Sequence, residues 1–354
     1  MCYDLAMKTI CLRTDGNEKI ATGHIQRCLS IARAFNAVTS SIISQINVIF
    51  IVSDKKSKHI LEERFECDNE FSIEVLGCDY SRAEETLPAL VDCLGHLAPD
   101  ALIIDSYFVN EEYLVSLHQY TAAEGIKLAY IDDLCALNKY DVDVIINYST
   151  VSIPQSYMSV PVKLCGKKYT PLREQFSQNS CIIKDTVKDI FISTGGTDPF
   201  GMCLKLCNIL DGYDLHILTG KMNPDYTALK ELSNKKSSIH VYESVSDVAS
   251  LMAKCDIGIC AGGTTLGELC AVGTPSVSFI IAENQRIGVS EFANDGIIPC
   301  AGDCMLDTDK VLDRISAFVS SMSIKDSKTR DSISQKMRRY IDGTGAYKIA
   351  ETIL

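Results

Sequence analysis

The 354-residue chain has no apolar run of the ~18 to 20 residues that a membrane-spanning helix needs. Its runs are short, such as residues 48–52. There is no C-x-x-C pair among its 16 cysteines, and neither Cys203/Cys207 nor Cys300/Cys304 has a histidine at metal-ligand spacing. That argues against a zinc site or a disulfide framework. Cys11, Cys28 and Cys255 sit inside apolar patterns and read as buried, reduced thiols, which implies a reducing compartment. Basic charge is scarce: 34 Lys and Arg stand against 46 Asp and Glu, a formal net charge of −12. The one basic cluster is modest, at Lys336, Arg338 and Arg339. A nucleic-acid partner and charge-driven membrane association are both disfavoured. Met1-Cys2-Tyr3-Asp4 lacks the basic and then apolar regions of a secretory signal, so a cytoplasmic protein is expected. No internal repeat or low-complexity tract stands out.

What is there is ordinary globular composition, 46% hydrophobic and 23% charged, over more than twice the length of a typical domain. Short apolar runs at 9–13, 48–52, 101–104, 128–131 and 144–146 alternate with helix-length patterns such as 25–35 and 111–123. This alternation is the signature of a parallel sheet with crossover helices. The pattern breaks between 160 and 184, around Pro161, Gly166 and Pro171. It resumes with runs at 189–193, 214–218, 239–242, 257–260 and 276–280. Two doubly wound, Rossmann-like α/β domains are expected, spanning 1–178 and 179–354, with a cleft at the carboxyl ends of both sheets. Residues 325–354 read as one or two helices, broken near Gly343 and Gly345.

The first loop, from Arg13-Thr14-Asp15 to Gly23-His24, leads from the first strand into the first helix. Free amides at such a helix start suit an anion. The loop is not G-x-G-x-x-G and no acidic residue ends the second strand, which weakens a dinucleotide reading. His24 falls on the first helical turn, where the dipole opposes imidazolium. It is either a neutral base or a residue that merely caps or packs. Asp105-Ser106-Tyr107 and Asp132-Asp133 each follow a strand. Their carboxylates could orient a base or bind sugar hydroxyls, or could simply cap helices. Asp141-x-Asp143 looks like a metal-binding pair but precedes a strand rather than closing one.

In the second half, Gly195-Gly196-Thr197-Asp198-Pro199 ends a strand, with Asp198 suited to an N-cap and Pro199 to the first helical position. Gly262-Gly263-Thr264-Thr265 repeats the arrangement, with Glu268 near the end of the helix's first turn. Two such turns suit a diphosphate, and Glu268 could accept from a ribose diol, although glycines also simply permit tight turns. Glu283-Asn284-Gln285 follows another strand with more polar side chains.

Together these segments resemble the GT-B superfamily. Arg13-Thr-Asp through Gly23-His24-Ile25-x-Arg27-Cys28 looks like the opening motif of the UDP-2,4-diacetamido-2,4,6-trideoxy-β-L-altropyranose hydrolases of pseudaminic acid biosynthesis. Asp105-x-Tyr107, Asp132-Asp133, Leu172-Arg173-x-x-Phe176, Gly195-Gly196-Thr197-Asp198 and Glu283-Asn284-Gln285 also match, in order. The segment from Ala261 to Glu268 is shared more widely among GT-B transferases. The resemblance implies His24 as a base and Tyr107 beside the sugar. It implies substrate contacts from Arg13, Asp15, Gly23, Arg27, Asp105 and Asp132. UDP would lie around 195–198, 262–265, Glu268 and 283–285. The implied partner is a small UDP-sugar, cleaved by water with inversion. No cofactor or metal is implied. A GT-B glycosyltransferase and a non-catalytic nucleotide-sugar binder are the alternatives.

Overall fold

The computed structural model describes residues 7–17, 19–20, 22–40, 46–64, 71–149, 152–243 and 245–354. The opening tetrapeptide, and Glu18 and Ala21 of the first loop, lie outside the described residues. The chain forms two compact units, residues 1–172 with 344–354, and residues 173–343.

The first unit is built on seven strands: β1 (Lys8–Thr14), β2 (Ile46–Val52), β3 (Ser72–Val75), β4 (Ala101–Asp105), β5 (Lys127–Ile131), β6 (Val144–Asn147) and β7 (Val162–Cys165). Its helices are α1 (Gly23–Ser40), α2 (Lys55–His59), α3 (Ala83–Leu97) and α4 (Glu111–Ala123). All strand pairs are parallel, in the order β3-β2-β1-β4-β5-β6-β7. The runs are near-continuously apolar because both faces of the sheet are covered. Ile10, Leu12, Val48 and Ile103 pack on the α1 side, and Cys11, Ile49, Leu102 and Ile104 on the α3–α4 side.

The second unit opens with α5 (Gln175–Gln178). Then come β8 (Asp189–Ser193), α6 (Met202–Ile209), β9 (Asp214–Leu218), α7 (Tyr226–Lys235), β10 (Ile239–Tyr242) and α8 (Val248–Lys254). It continues through β11 (Ile257–Ala261), α9 (Thr265–Val272), β12 (Ser276–Ile280), α10 (Arg286–Asn294), β13 (Cys300–Asp303), α11 (Thr308–Ile324) and α12 (Ser327–Tyr340). The parallel order is β10-β9-β8-β11-β12-β13. A last helix, α13 (Gly345–Ile353), returns to the first unit. There Ala346, Ile349, Ala350 and Ile353 join the core against α1. The expected division of 1–178 and 179–354 is corrected accordingly. The first unit ends at Leu172 and regains the last 11 residues, because the apolar face of α13 is buried on α1.

Three strands carry no expectation in the sequence: β3, β7 and β13. All lie at sheet edges, where one flank has no neighbouring strand and polar or small residues interrupt the apolar run. Strand β7 falls inside the expected linker. Fourteen cysteines are described and all are free thiols, eight of them buried. No described helix is long and apolar enough to cross a membrane.

Candidate active site

In both sheets the strand order reverses beside the first strand of the unit, between β1 and β4 and again between β8 and β11. The loops leaving such a switch point diverge, and ligands bind there in open α/β sheets. Thr14 at the end of β1 pairs in register with Asp105 at the end of β4. That register brings His24, on the first turn of α1, against Asp105. The imidazole Nδ1 lies 2.5 Å from Asp105 Oδ1, with both groups buried. Two lone pairs cannot approach so closely, so a proton lies between them. Nδ1–H therefore donates to the carboxylate, with Arg27 Nη2 also 2.9 Å from Nδ1, and in the neutral ring this tautomer leaves the lone pair on Nε2.

Arg27, one turn further along α1, donates to Asp105 through Nε and Nη2, each at 2.5 Å. Its Nη1 donates to Asp133 Oδ2 and to the Tyr148 hydroxyl, both at 2.6 Å. Burial works against charge on Asp105, but Arg27 and His24 outweigh it and hold the carboxyl below its usual range. Burial likewise opposes the Arg27 charge, and Asp105 more than offsets it. Tyr107 stands edge-on to His24, with ring centroids 4.4 Å apart, and its hydroxyl donates to Asp133 Oδ2 at 3.0 Å. Burial, and then Asp133, push the Tyr107 phenol up to about 12, so it stays a donor at neutral pH. A small hollow in front of His24 is bordered by Asp15, Asp105, Tyr107, Tyr80 and Phe108.

Several residues expected to meet substrate have other partners. Arg13 and Asp15 are buried and pair with one another at 2.6 Å. Asp15 also accepts from the Ser53 amide at 2.6 Å and from its hydroxyl at 3.0 Å, which ties the end of β1 to the end of β2. Arg27 has every nitrogen engaged within the unit, so it organises the site rather than reaching out of it. The Asp132 carboxylate accepts from the amides of Leu134 and Cys135 and from the Tyr157 hydroxyl, which shapes the loop after β5. Gly23 is exposed, with open space where a Cβ would stand. Of the Asp132-Asp133 pair, Asp133 is the member that reaches Arg27 and Tyr107, and Tyr148 is the member that sequence reasoning did not single out. The signal for Tyr148 was position alone, just past the carboxyl end of β6. Asp141 and Asp143 lie at the opposite end of the sheet, beside His118 at 3.2 and 3.4 Å. Among the described residues no group of three or more His, Cys, Asp or Glu is placed to hold a metal ion.

In the second unit, β8 runs into an exposed turn at Gly195, Gly196 and Thr197. Asp198 is buried, and its two carboxylate oxygens accept from the amides of Met202 and Cys203 at 2.9 and 2.8 Å. Helix α6 therefore begins at Met202 rather than Pro199. Its positive end is already met by Asp198, which is tied to the helix instead of facing a ligand. The turn after β11 is different. Gly263 and Thr264 are exposed at the start of α9, with no acidic side chain capping it. Gly262 permits this turn by close approach, since an added Cβ would lie 2.6 Å from Val289 Cγ2 and 2.8 Å from Gln285 Cβ. Gln285 accepts from the Ile281 amide at 3.0 Å, Glu283 pairs with Arg286 at 2.7 Å, and Asn284 is exposed. Glu268, on the first turn of α9, has Arg173 at 3.3 Å. Burial raises the Glu268 carboxyl and Arg173 only partly opposes this.

Residues 201–342 match the glycosyltransferase family 28 C-terminal domain. The UDP-2,4-diacetamido-2,4,6-trideoxy-beta-L-altropyranose hydrolase of Campylobacter jejuni is 22% identical over 294 residues, covering 81% of this chain and 97% of that protein. A Helicobacter pylori protein named pseudaminic acid cytidylyltransferase and UDP-2,4-diacetamido-2,4,6-trideoxy-beta-L-altropyranose hydrolase is 28% identical over 239 residues. That match covers 64% of this chain and 42% of the relative. Among solved structures, MurG of Acinetobacter baumannii is similar with a TM-score of 0.64 at 15% identity, over 98% of this chain and 99% of that one. The chain has the two-domain, parallel α/β GT-B fold.

Proposed function

We propose that the chain hydrolyses a UDP-linked diacetamido-trideoxy-hexose, UDP-2,4-diacetamido-2,4,6-trideoxy-β-L-altropyranose, to the free sugar and UDP, as a cytoplasmic step in making pseudaminic acid. The observation that carries this reading is the His24–Asp105 contact at 2.5 Å, braced by Arg27, at the switch point of the first sheet. It places the His24 ring beside a hollow bordered by Asp15, Ser106 and Tyr107, and in the neutral ring with its proton on Nδ1 the lone pair lies on Nε2. His24 Nε2 removes a proton from water as the water attacks the anomeric carbon, and UDP departs with inversion. With His24 neutral, Arg27, Asp105 and Asp133 together carry one net negative charge. The proton His24 gains brings the set to neutrality as the barrier is crossed.

The nucleotide belongs to the second unit in this reading. The amides of Gly196, Gly263 and Thr264 meet the diphosphate, Glu268 accepts from the ribose diol, and 283–285 complete the contacts. The leaving diphosphate is met by amides, so activity should survive EDTA. Restoration of a chelated enzyme by magnesium or manganese would overturn that step. The match of residues 201–342 to a glycosyltransferase domain favours a second reading, transfer from a UDP-sugar to an acceptor.

The test is incubation with the UDP-sugar in labelled water, without acceptor or detergent. Free sugar carrying the heavy oxygen, with unlabelled UDP, is expected. Label in UDP would mean phosphorus–oxygen cleavage. Release only after an acceptor is added would favour the transferase, and UDP binding without turnover a binding protein.

A further inference from the structure

The contacts around His24 form a closed circuit. His24 touches Asp105, Asp105 holds Arg27, Arg27 holds Asp133, Asp133 holds Tyr107, and the Tyr107 ring returns edge-on to His24. One atom closes it: Asp133 Oδ2 accepts both Arg27 Nη1 at 2.6 Å and the Tyr107 hydroxyl at 3.0 Å. Tyr107 is 46% exposed, and Asp133 is the partner that pins its phenol. Asp105 at 2.5 Å and Arg27 Nη2 at 2.9 Å both meet the imidazole at Nδ1, so they hold one corner of the ring. A second restraint on the ring itself comes from Tyr107. The geometry points to Asp133 as a positioning residue for His24: by clamping Tyr107 against the imidazole and bracing Arg27 behind Asp105, it fixes the direction in which Nε2 opens. This role rests on the reading of His24 as the base.

Substitution separates positioning from contact with substrate. In Asp133→Asn, Arg27 and Tyr107 are both donors at one position, so the amide oxygen must face them and the circuit survives. In Asp133→Ala it opens, while Arg27 keeps Asp105 and Tyr148. A small error in the aim of a base is costly to rate, so Asp133→Ala should lower kcat by about 10- to 100-fold with KM nearly unchanged. Asp133→Asn should stay within about threefold of wild type. Tyr107→Phe should resemble Asp133→Ala, and the double variant should be no slower than the slower single one.

The experiment measures kcat and KM with UDP-2,4-diacetamido-2,4,6-trideoxy-β-L-altropyranose. Alongside, it records the carbon-bound imidazole proton resonances of His24 in the full chain, which feel the Tyr107 ring current. Those resonances should move in Asp133→Ala and return in Asp133→Asn. Unmoved resonances in Asp133→Ala overturn the proposal. So does an Asp133→Asn variant as impaired as Asp133→Ala with raised KM, which would mean that the carboxylate meets the substrate itself. A wild type that releases no UDP would sink the hydrolase reading, and the resonances would still decide the clamp.

Discussion

His24 and Glu268 both lie on the first turn of a helix, yet their environments assign them opposite kinds of effect. His24→Ala removes the acceptor of the water proton and should lower turnover by about 10²- to 10⁴-fold. UDP affinity should hold, because the nucleotide is assigned to the second unit. Calorimetry with UDP and a rate assay on one preparation check both halves, and near wild-type turnover would remove His24 from the mechanism. Glu268→Ala should raise KM more than it lowers kcat, since a ribose contact serves ground and transition states alike. Glu268 also makes a prediction about stability. Its carboxyl is raised in the folded chain by burial, against the pull of Arg173. Between the unfolded value, about 4.3, and the raised folded value, the folded state binds more protons, so stability falls as pH rises through that window. Glu268→Gln should therefore raise Tm at pH 7, lose that pH dependence and still bind UDP less well. A Tm at pH 7 no higher than wild type would contradict it. Which member of Asp132-Asp133 turns toward the base is not legible locally. Neighbouring residues past a strand end differ only in the direction their side chains take, and Tyr157 and Arg27, distant in sequence, decide it.

Helix starts show how local signals can be right in kind and displaced in place. Asp198 does cap α6, but from four positions before its first residue, with φ at +42° and both oxygens on helix amides. Asp198→Ala would leave those amides unmet and cost about 1–2 kcal/mol of stability. The expected result is a lower Tm with UDP affinity little changed in the folded protein. A selective loss of UDP affinity at unchanged Tm would return Asp198 to the ligand. Helix α4 was legible to its end residues, because its apolar spacing is regular and Asn110 caps it through the Tyr113 amide. Edge strands β3, β7 and β13 were not, because they lack the two-sided burial that writes a continuous apolar run.

At the scale of the whole molecule, α13 packs back on the first unit. Gly345 lets α13 start against the Tyr169–Thr170 backbone, where a Cβ would collide, and Lys8 and Lys127 donate to the carbonyls of Leu354 and Ile353. Removing 344–354 would expose the α1 face that covers Ile349 and Ile353, each worth about 1.5–3 kcal/mol of burial. Such a truncation should destabilise the first unit selectively. Calorimetry should show one transition moved down and the other in place, and two unmoved transitions would refute it. The sequence by itself determined two parallel α/β units, the turns after β1, β4, β8 and β11, and His24 at a helix start, because strand periodicity, glycine turns and capping residues act over a few neighbours. Only the tertiary structure decided the strand order that brings Asp105 to His24, the partners that Arg13, Asp15, Arg27 and Asp132 find within the first unit, and the return of α13. Those choices depend on contacts between residues up to hundreds of positions apart, and local periodicity carries no trace of them.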